Sequence, residues 1–407
     1  MSAALDSADA IRRRLFELVE LIERATPLLE SNPFTEGEPP WVRDTPALAD
    51  ALLALDDTAL DALELDDDAC GQLLRRIDAR YAEIEERTSI AARPALPHSR
   101  EPAHVPGRKW RQIEAFAAAL PSEPSHWVDW CAGKGHLGRA LAERGARVRC
   151  VERDPKLCDA GRRLVGARDV HFECRDVITA PPGLNASEHV AALHACGHLH
   201  DALIERAAAA EPAGVAIAPC CYHRSAAPNA SWRPLAATGP REPLSAALVR
   251  FAVRETVTAP AGVRRKRLQE RAFRLGYDAL RQTLEPNGGS YRPLHSVRKG
   301  MLADGFMRFC ERAAVAHALT LPQDVDFERW LKEGRLRDGR ARRLELVRTP
   351  FRRVLELRMV LDRALLLAER GYAVRIEAFC ARALTPRNLL ILAQRRDLSS
   401  PTGQGSG

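Results

Sequence analysis

Apolar residues near the start of the chain recur every three or four positions. Within residues 10–30, Ile11, Leu15, Leu18, Val19 and Ile22 line up as one stripe, which predicts an amphipathic helix. Two more helical periods follow at 46–55 and 69–86. Between them the Pro and Asp clusters NPFTEGEPPW, LDDT and LDDDA supply breaks and caps. Residues 92–107, ARPALPHSREPAHVPG, are proline-rich and carry no period, so they read as a linker.

The rhythm then changes to short apolar runs: HWVDWC at 126–131, RVRCVE at 147–152, VHFECRD at 170–176, HVAALHAC at 189–196 and GVAIAPCC at 214–221. Helical segments at 136–143, 155–165 and 199–210 alternate with them. Alternation at this spacing implies parallel strands joined by crossovers and covered on both faces, hence a doubly wound α/β sheet. Arg-rich helical material at 224–345 interrupts it. A helix at 355–371, amphipathic and ending at a Gly stop, leads into YAVRIEAFC, the turn LTPRN and NLLILAQRR, two strands close enough to form an antiparallel hairpin. The expected organisation is a helical domain (1–91), the linker (92–107), an α/β domain (108–398, with its insertion at 224–345) and a disordered tail (399–407).

Composition bounds the function class. The 46% apolar content supplies a real core, and no window of about 18 uncharged apolar residues suggests a membrane span. The N-terminus lacks a basic-then-apolar leader, so a cytoplasmic protein is expected. Ten cysteines scattered through strands and helices read as reduced thiols. Positions 1–100 hold 11 basic and 21 acidic residues, net −10, and with the chain at +7 the remainder carries +17. A basic body attracts phosphates or acidic proteins, although an Arg-rich helix also arises as a merely solvated one.

The chemistry concentrates where the first strand runs into Asp129, Trp130, Cys131, Ala132, Gly133, Lys134, Gly135 and His136. A small-residue turn followed by a helix lets a ligand approach the backbone and offers free amides. Glu152, 23 residues after Asp129 at the end of the second strand, suits a ribose diol, with Arg153 beside it. Asp176, ending the third strand, can take the exocyclic amine of an adenine, with Val177 against the ring. Gly133, Gly135 and Gly138 also match the G-x-G-x-x-G dinucleotide fingerprint, which makes an NAD(P)-dependent oxidoreductase the competing reading. Asp129 argues against it, because a carboxylate there repels a pyrophosphate and favours the ammonium and sulfonium of S-adenosylmethionine.

The stretch 129–135, DWCAGKG, resembles the D-x-G-x-G-x-G loop of class I S-adenosylmethionine-dependent methyltransferases, with Cys131 in place of the first glycine. GRKWRQIEAF (107–116), LHACG (193–197), PCCYH (219–223) and TPRNLLILA (385–393) are similar to motifs of one branch of them. That branch includes the methyltransferase part of the glutathione S-transferase C-terminal domain-containing proteins, tRNA 2′-O-methyltransferases with a Cys-rich motif, and methyltransferase-like proteins credited with acting on the translation machinery. The resemblance covers roughly 105–395 and implies a seven-stranded sheet whose last strand is antiparallel. It implies S-adenosyl-L-methionine as cofactor and no particular acceptor.

Eight of the twelve histidines lie between 126 and 223, and the fourth and fifth strands end in HACGHLHD and PCCYHR. Three readings stay open there. As a catalytic wall, His194 lines the methionine end while Cys220, Tyr222 and His223 surround, orient or deprotonate the acceptor. As a metal or iron-sulfur site, some of His194, Cys196, His198, His200, Cys220, Cys221 and His223 converge; the adjacent Cys220 and Cys221 look awkward as ligands, so no metal is expected. As packing, thiols and rings fill a pocket. No Asn-Pro-Pro-Tyr type motif follows the fourth strand, which weakens an amino group on a nucleobase as acceptor. Basic residues at 264–274 (Arg264, Arg265, Lys266, Arg267, Arg271, Arg274) and the segment 290–300, with Tyr291 and His295, suit an RNA or ribosome-associated substrate. The expected function is methyl transfer to an RNA or a translation-related protein, with a non-catalytic cofactor- or RNA-binding module as a further alternative.

Overall fold

The computed structural model describes residues 7–95, 105–123, 125–225, 227, 229–254, 260–285, 289–294 and 300–396. The middle of the proline-rich linker, the tail and residues 295–299, which include His295, lie outside the described residues.

Seven strands form one sheet: β1 (His126–Trp130), β2 (Arg147–Glu152), β3 (Val170–Cys174), β4 (His189–Cys196), β5 (Gly214–Cys220), β6 (Tyr372–Ala378) and β7 (Leu389–Arg395), in the order β3-β2-β1-β4-β5-β7-β6. The first five are parallel, and β7 runs antiparallel to both β5 and β6. The doubly wound sheet and its closing hairpin are therefore present as the sequence pattern implies. The apolar runs become strands because both faces are covered: every residue of β5 is buried, and helices Gly107–Ala119, His136–Ala142, Pro155–Val165 and His198–Ala210 pack around β1–β5. The strand order reverses between β1 and β4, so the ends of β1, β2, β4 and β5 surround one crevice.

The chain divides into two compact units: residues 1–22, 86–254 and 352–407, which carry the sheet, and residues 23–85 with 255–351, which are helical. Sequence patterning treats the helical head and the insertion separately, whereas residues 23–85 and 255–351 pack as one body and 224–254 belong with the sheet. Tyr81 shows how: its hydroxyl donates to the Val347 carbonyl at 2.9 Å and its ring meets Phe351 edge-on. The helical period at 69–86 is in fact two helices, Asp67–Ile77 and Arg80–Thr88, because the Asp78 carboxylate accepts from the Arg80 amide and starts a new turn. The Asp clusters cap as expected, with Asp56 accepting from Ala59 and Asp66 from Asp68 and Ala69.

The late helix, Phe351–Glu369, departs from its amphipathic reading, since Glu356, Arg358, Asp362 and Arg363 on its polar side are all buried. Segment 233–242 takes its backbone partners from Arg358, Asp362, Arg363 and Glu369, whereas Glu356 pairs with Arg353 and Arg387. Leu235 and Ala236 donate to Asp362, Ala237 and Thr238 to Glu369, and the carbonyls of Arg233 and Glu242 accept from Arg363 and Arg358. A strand-free segment lies against the core in this way because side chains satisfy its amides. The TPRN turn is closed by Asn388, which donates to the Cys380 carbonyl at 2.7 Å. It is tied to GRKW through Arg108 and Gln112, both donating to the Leu384 carbonyl. Among the described residues no helix is long and apolar enough to cross a membrane.

Candidate functional site

The β1 turn is built by exclusions. Gly135 is the N-cap of helix His136–Ala142 at φ 67°, where a Cβ would stand 2.6 Å from Phe172 Cζ. Gly138 lies against Cys150, whose Sγ would be 2.5 Å from an added Cβ. These glycines seat the helix close on β2 and β3. Gly133, at φ 59°, differs: nothing lies within 4 Å of where its Cβ would be, so the open side of the turn faces free space. Ala132 donates its amide to the Val151 carbonyl, Lys134 is half-buried in the turn, and His136 is buried with Arg139 on its Nδ1.

Asp129 is 2% exposed, and its Oδ2 accepts from the Gly138 amide at 3.0 Å. Burial pushes its carboxyl up to about 7, opposed by that hydrogen bond and by one from the Cys150 thiol. Glu152 spans the next gap: Oε2 accepts from the Gly133 amide and Oε1 from the Asp154 amide, each at 3.0 Å. Asp176 accepts from the Ile178 amide at 2.8 Å, which holds its carboxyl below the usual range, and Arg153 stands 3.9 Å from it. Val177 is buried beneath. The thiol of Cys131 lies among them. Burial raises it to about 12, and the charges of Glu152, Asp129, Asp176 and Cys196 push the same way. Side chains from the ends of β1, β2, β3 and β4 thus act on one sulfur.

Three of those strand ends share a feature that residue types did not reveal. Cys131 after β1 (φ 60°), His194 near the end of β4 (φ 69°) and Cys221 after β5 (φ 51°) are non-glycine residues in the left-handed region. Such backbone costs roughly 1–3 kcal/mol per residue and persists where surrounding structure enforces it. His194 sits on a bulge: β4 spends three steps from Leu193 to Cys196 while β5 spends two from Ala218 to Cys220. The ring is solvent-accessible, with its basicity lowered by desolvation and by Lys109. Lys109, exposed on helix Gly107–Ala119, acts on Asp129 as well. It lies inside GRKW, a motif without an assigned role in the sequence, so its place at the site is new.

The Cys/His wall separates into parts. His223 is exposed in the 3₁₀ turn Tyr222–Arg224, near Cys221. Tyr222 corrects the expectation of a catalytic hydroxyl. It is 1% exposed, meets His200 edge-on and donates to the Pro219 carbonyl, so its hydroxyl is committed within the core. His200 is likewise a core residue, held by the Ala195 carbonyl and Asp201, and His198 holds the Arg224 carbonyl. Cys220 is buried with its sulfur 3.4 Å from that of Cys196, and both lie beside Cys221.

A crevice at the sheet's switch point, a glycine turn with open space and carboxylates from three strand ends suit a cationic nucleoside. Residues 108–228 match a family model described as a methyltransferase domain. The chain carries a class I methyltransferase domain. The matched stretch includes β1 through β5 and the turn bearing His223, and the methyltransferase sheet is completed by β6 and β7, supplied from beyond the insertion. No curated protein sequence gives a significant match to the chain.

Proposed function

We propose that this methyltransferase uses S-adenosylmethionine, held in the crevice between the Gly133 turn and the ends of β1–β4, and methylates a nucleophile presented beside His194 and His223. The observation that carries the reading is Glu152 accepting from the Gly133 amide beside the open side of the turn, with Asp129 held by the Gly138 amide of the same turn-helix unit. Glu152 has lone pairs beyond its two amide partners for a ribose diol, Asp176 is open enough to accept from an adenine amine, and the Asp129 charge acts through a dry interior on the cationic end. The space beside Gly133 admits the ligand. A pyrophosphate at that turn would meet the same carboxylates, so a dinucleotide does not fit.

The bound cofactor would supply an electrophilic methyl group. The chain's own residues hold the acceptor in line and accept the proton it loses; His194 and His223 are the accessible bases placed to do so. The acceptor we propose is an RNA segment. Arg265 and Lys266 are exposed on helix Ala261–Leu284, which supports a phosphate contact, while Arg271 and Arg274 are occupied by Asp338, Glu345 and Glu270. Tyr291 is half-buried and meets the Phe34 ring edge-to-face. Tritiated-methyl transfer into lysate fractionated into RNA, protein and small molecules tests both parts. Label in RNA, lost with His194→Ala or His223→Ala, is expected; label in protein alone overturns the acceptor, and no label with no S-adenosylhomocysteine binding overturns the cofactor.

A further inference from the structure

We propose that Cys196, Cys220 and Cys221 form a three-thiolate zinc site at the ends of β4 and β5, with its fourth coordination position open. The three sulfurs lie within 4.8 Å of one another, and those of Cys196 and Cys220 are 3.4 Å apart. A zinc ion at its usual Zn–S distance of about 2.3 Å requires sulfurs roughly 3.8 Å apart along each tetrahedral edge. The cluster therefore needs only small side-chain adjustments to take the ion.

Backbone irregularity produces this convergence. Neighbouring residues of a strand point to opposite faces, so Cys220 and Cys221 in regular β structure could not share an ion. Cys221 instead adopts φ 51°, ψ 41°, and the left-handed turn brings its sulfur back beside that of Cys220. The bulge at His194 does the corresponding work on β4. One extra residue there moves Cys196, in place of Ala195, into register with Cys220. Thiols that merely fill space require neither distortion, and both are paid by non-glycine residues. Three thiolates without carboxylate favour zinc over calcium or magnesium.

Cys196 and Cys221 are only half-buried, so the fourth position is reachable. Arg224, in the turn that follows Cys221, offsets part of the negative charge of three thiolates around a divalent ion. A water or an acceptor atom completes the tetrahedron.

The experiment does not use methyl transfer, so its outcome is independent of the proposed function. The full-length protein, purified under reducing conditions, is analysed for metals, stripped with a chelator, and titrated with zinc and with cobalt(II). About one equivalent of zinc is expected, with a thiolate-to-cobalt charge-transfer band. Cys196→Ser and Cys221→Ser should each lower zinc affinity at least about tenfold, while Cys174→Ser, an exposed cysteine outside the cluster, should not. Circular dichroism of each variant checks the fold. Should the unsubstituted protein hold under about 0.1 equivalent and take up none after stripping, the site is refuted without reference to any variant. Equal loss in Cys174→Ser also refutes it.

Discussion

Asp129 offers the sharpest test, because its position sets opposite pH trends for the free and the liganded protein. Burial lifts its carboxyl from 3.8 to about 7. The folded protein therefore keeps a proton between about pH 4 and 7 that the unfolded chain has lost. By linkage this contribution to stability is full below the unfolded value and is lost as pH rises through about 7; about three units correspond to at most about 4 kcal/mol. Asp129→Asn keeps an oxygen for the Gly138 amide and never ionises, so its stability relative to the parent should rise between pH 5 and 8 in urea denaturation. Cofactor binding should run the other way. If the cationic end favours ionised Asp129, only the deprotonated fraction is competent, about 90% at pH 8 and about 9% at pH 6. The dissociation constant should then weaken about tenfold over that interval, and calorimetry at pH 6 should show release of nearly one proton. In Asp129→Asn both effects vanish and affinity at pH 8 falls. A pH-independent affinity in the parent, or the same slope in the Asn variant, refutes the role given to this carboxylate.

Other residues give independent checks. Glu152→Gln presents an amide hydrogen to one of the two N–H groups that the carboxylate now accepts; S-adenosylhomocysteine affinity should fall ten- to a hundredfold, about 1.5–3 kcal/mol by calorimetry, and a smaller change removes Glu152 from the cofactor site. Gly138→Ala and Gly133→Ala separate packing from ligand space. The first drives a Cβ against Cys150 and Val148 and should cost ~1–3 kcal/mol in chemical denaturation; the second should cost only ~1–2 kcal/mol yet weaken cofactor binding by at least about tenfold. Arg363 is buried against Asp201, Asp362 and the Trp232 ring, and although burial pushes Asp201 up, His200 and Arg363 hold it well below the usual carboxylate range. Arg363→Met should therefore cost ~3–5 kcal/mol in denaturant titration, and a loss under about 1 kcal/mol would contradict that account.

The sheet was legible because its determinants are local and periodic. Five apolar runs between helical segments, and a turn too short for a crossover, leave few arrangements open, and the observed strand bounds follow the runs closely. The division into two units was not legible, because partners such as Tyr81 and Val347 are more than two hundred residues apart and no local pattern links them. The late helix shows a subtler limit. Its polar side has the spacing of a solvated face, yet the amides of segment 233–242 occupy it. Periodicity reports that a face is polar; what covers that face depends on which distant backbone lacks partners.

The same distinction explains the site. Asp129, Glu152 and Asp176 could be placed at strand ends from spacing, because strand direction alone determines where a carboxylate emerges. Tyr222 and the cysteine cluster could not, since their directions depend on one residue of bulge at His194 and one left-handed residue at Cys221. Neither residue type favours that conformation, so composition argues against the geometry that exists. With Cys131 they put strained backbone at the ends of three adjacent strands, β1, β4 and β5, around the crevice where Asp129, Glu152 and Asp176 emerge. The folded sheet must supply the energy for all three, and relaxing any one would turn a thiol or ring away from the others. Deleting His194 should instead give a regular β4 in which Cys196 still stands opposite Cys220, so the Cys196–Cys220 approach should survive without the strained residue while the ring at that strand end is lost and the Asp129–Gly138 hydrogen bond stays intact.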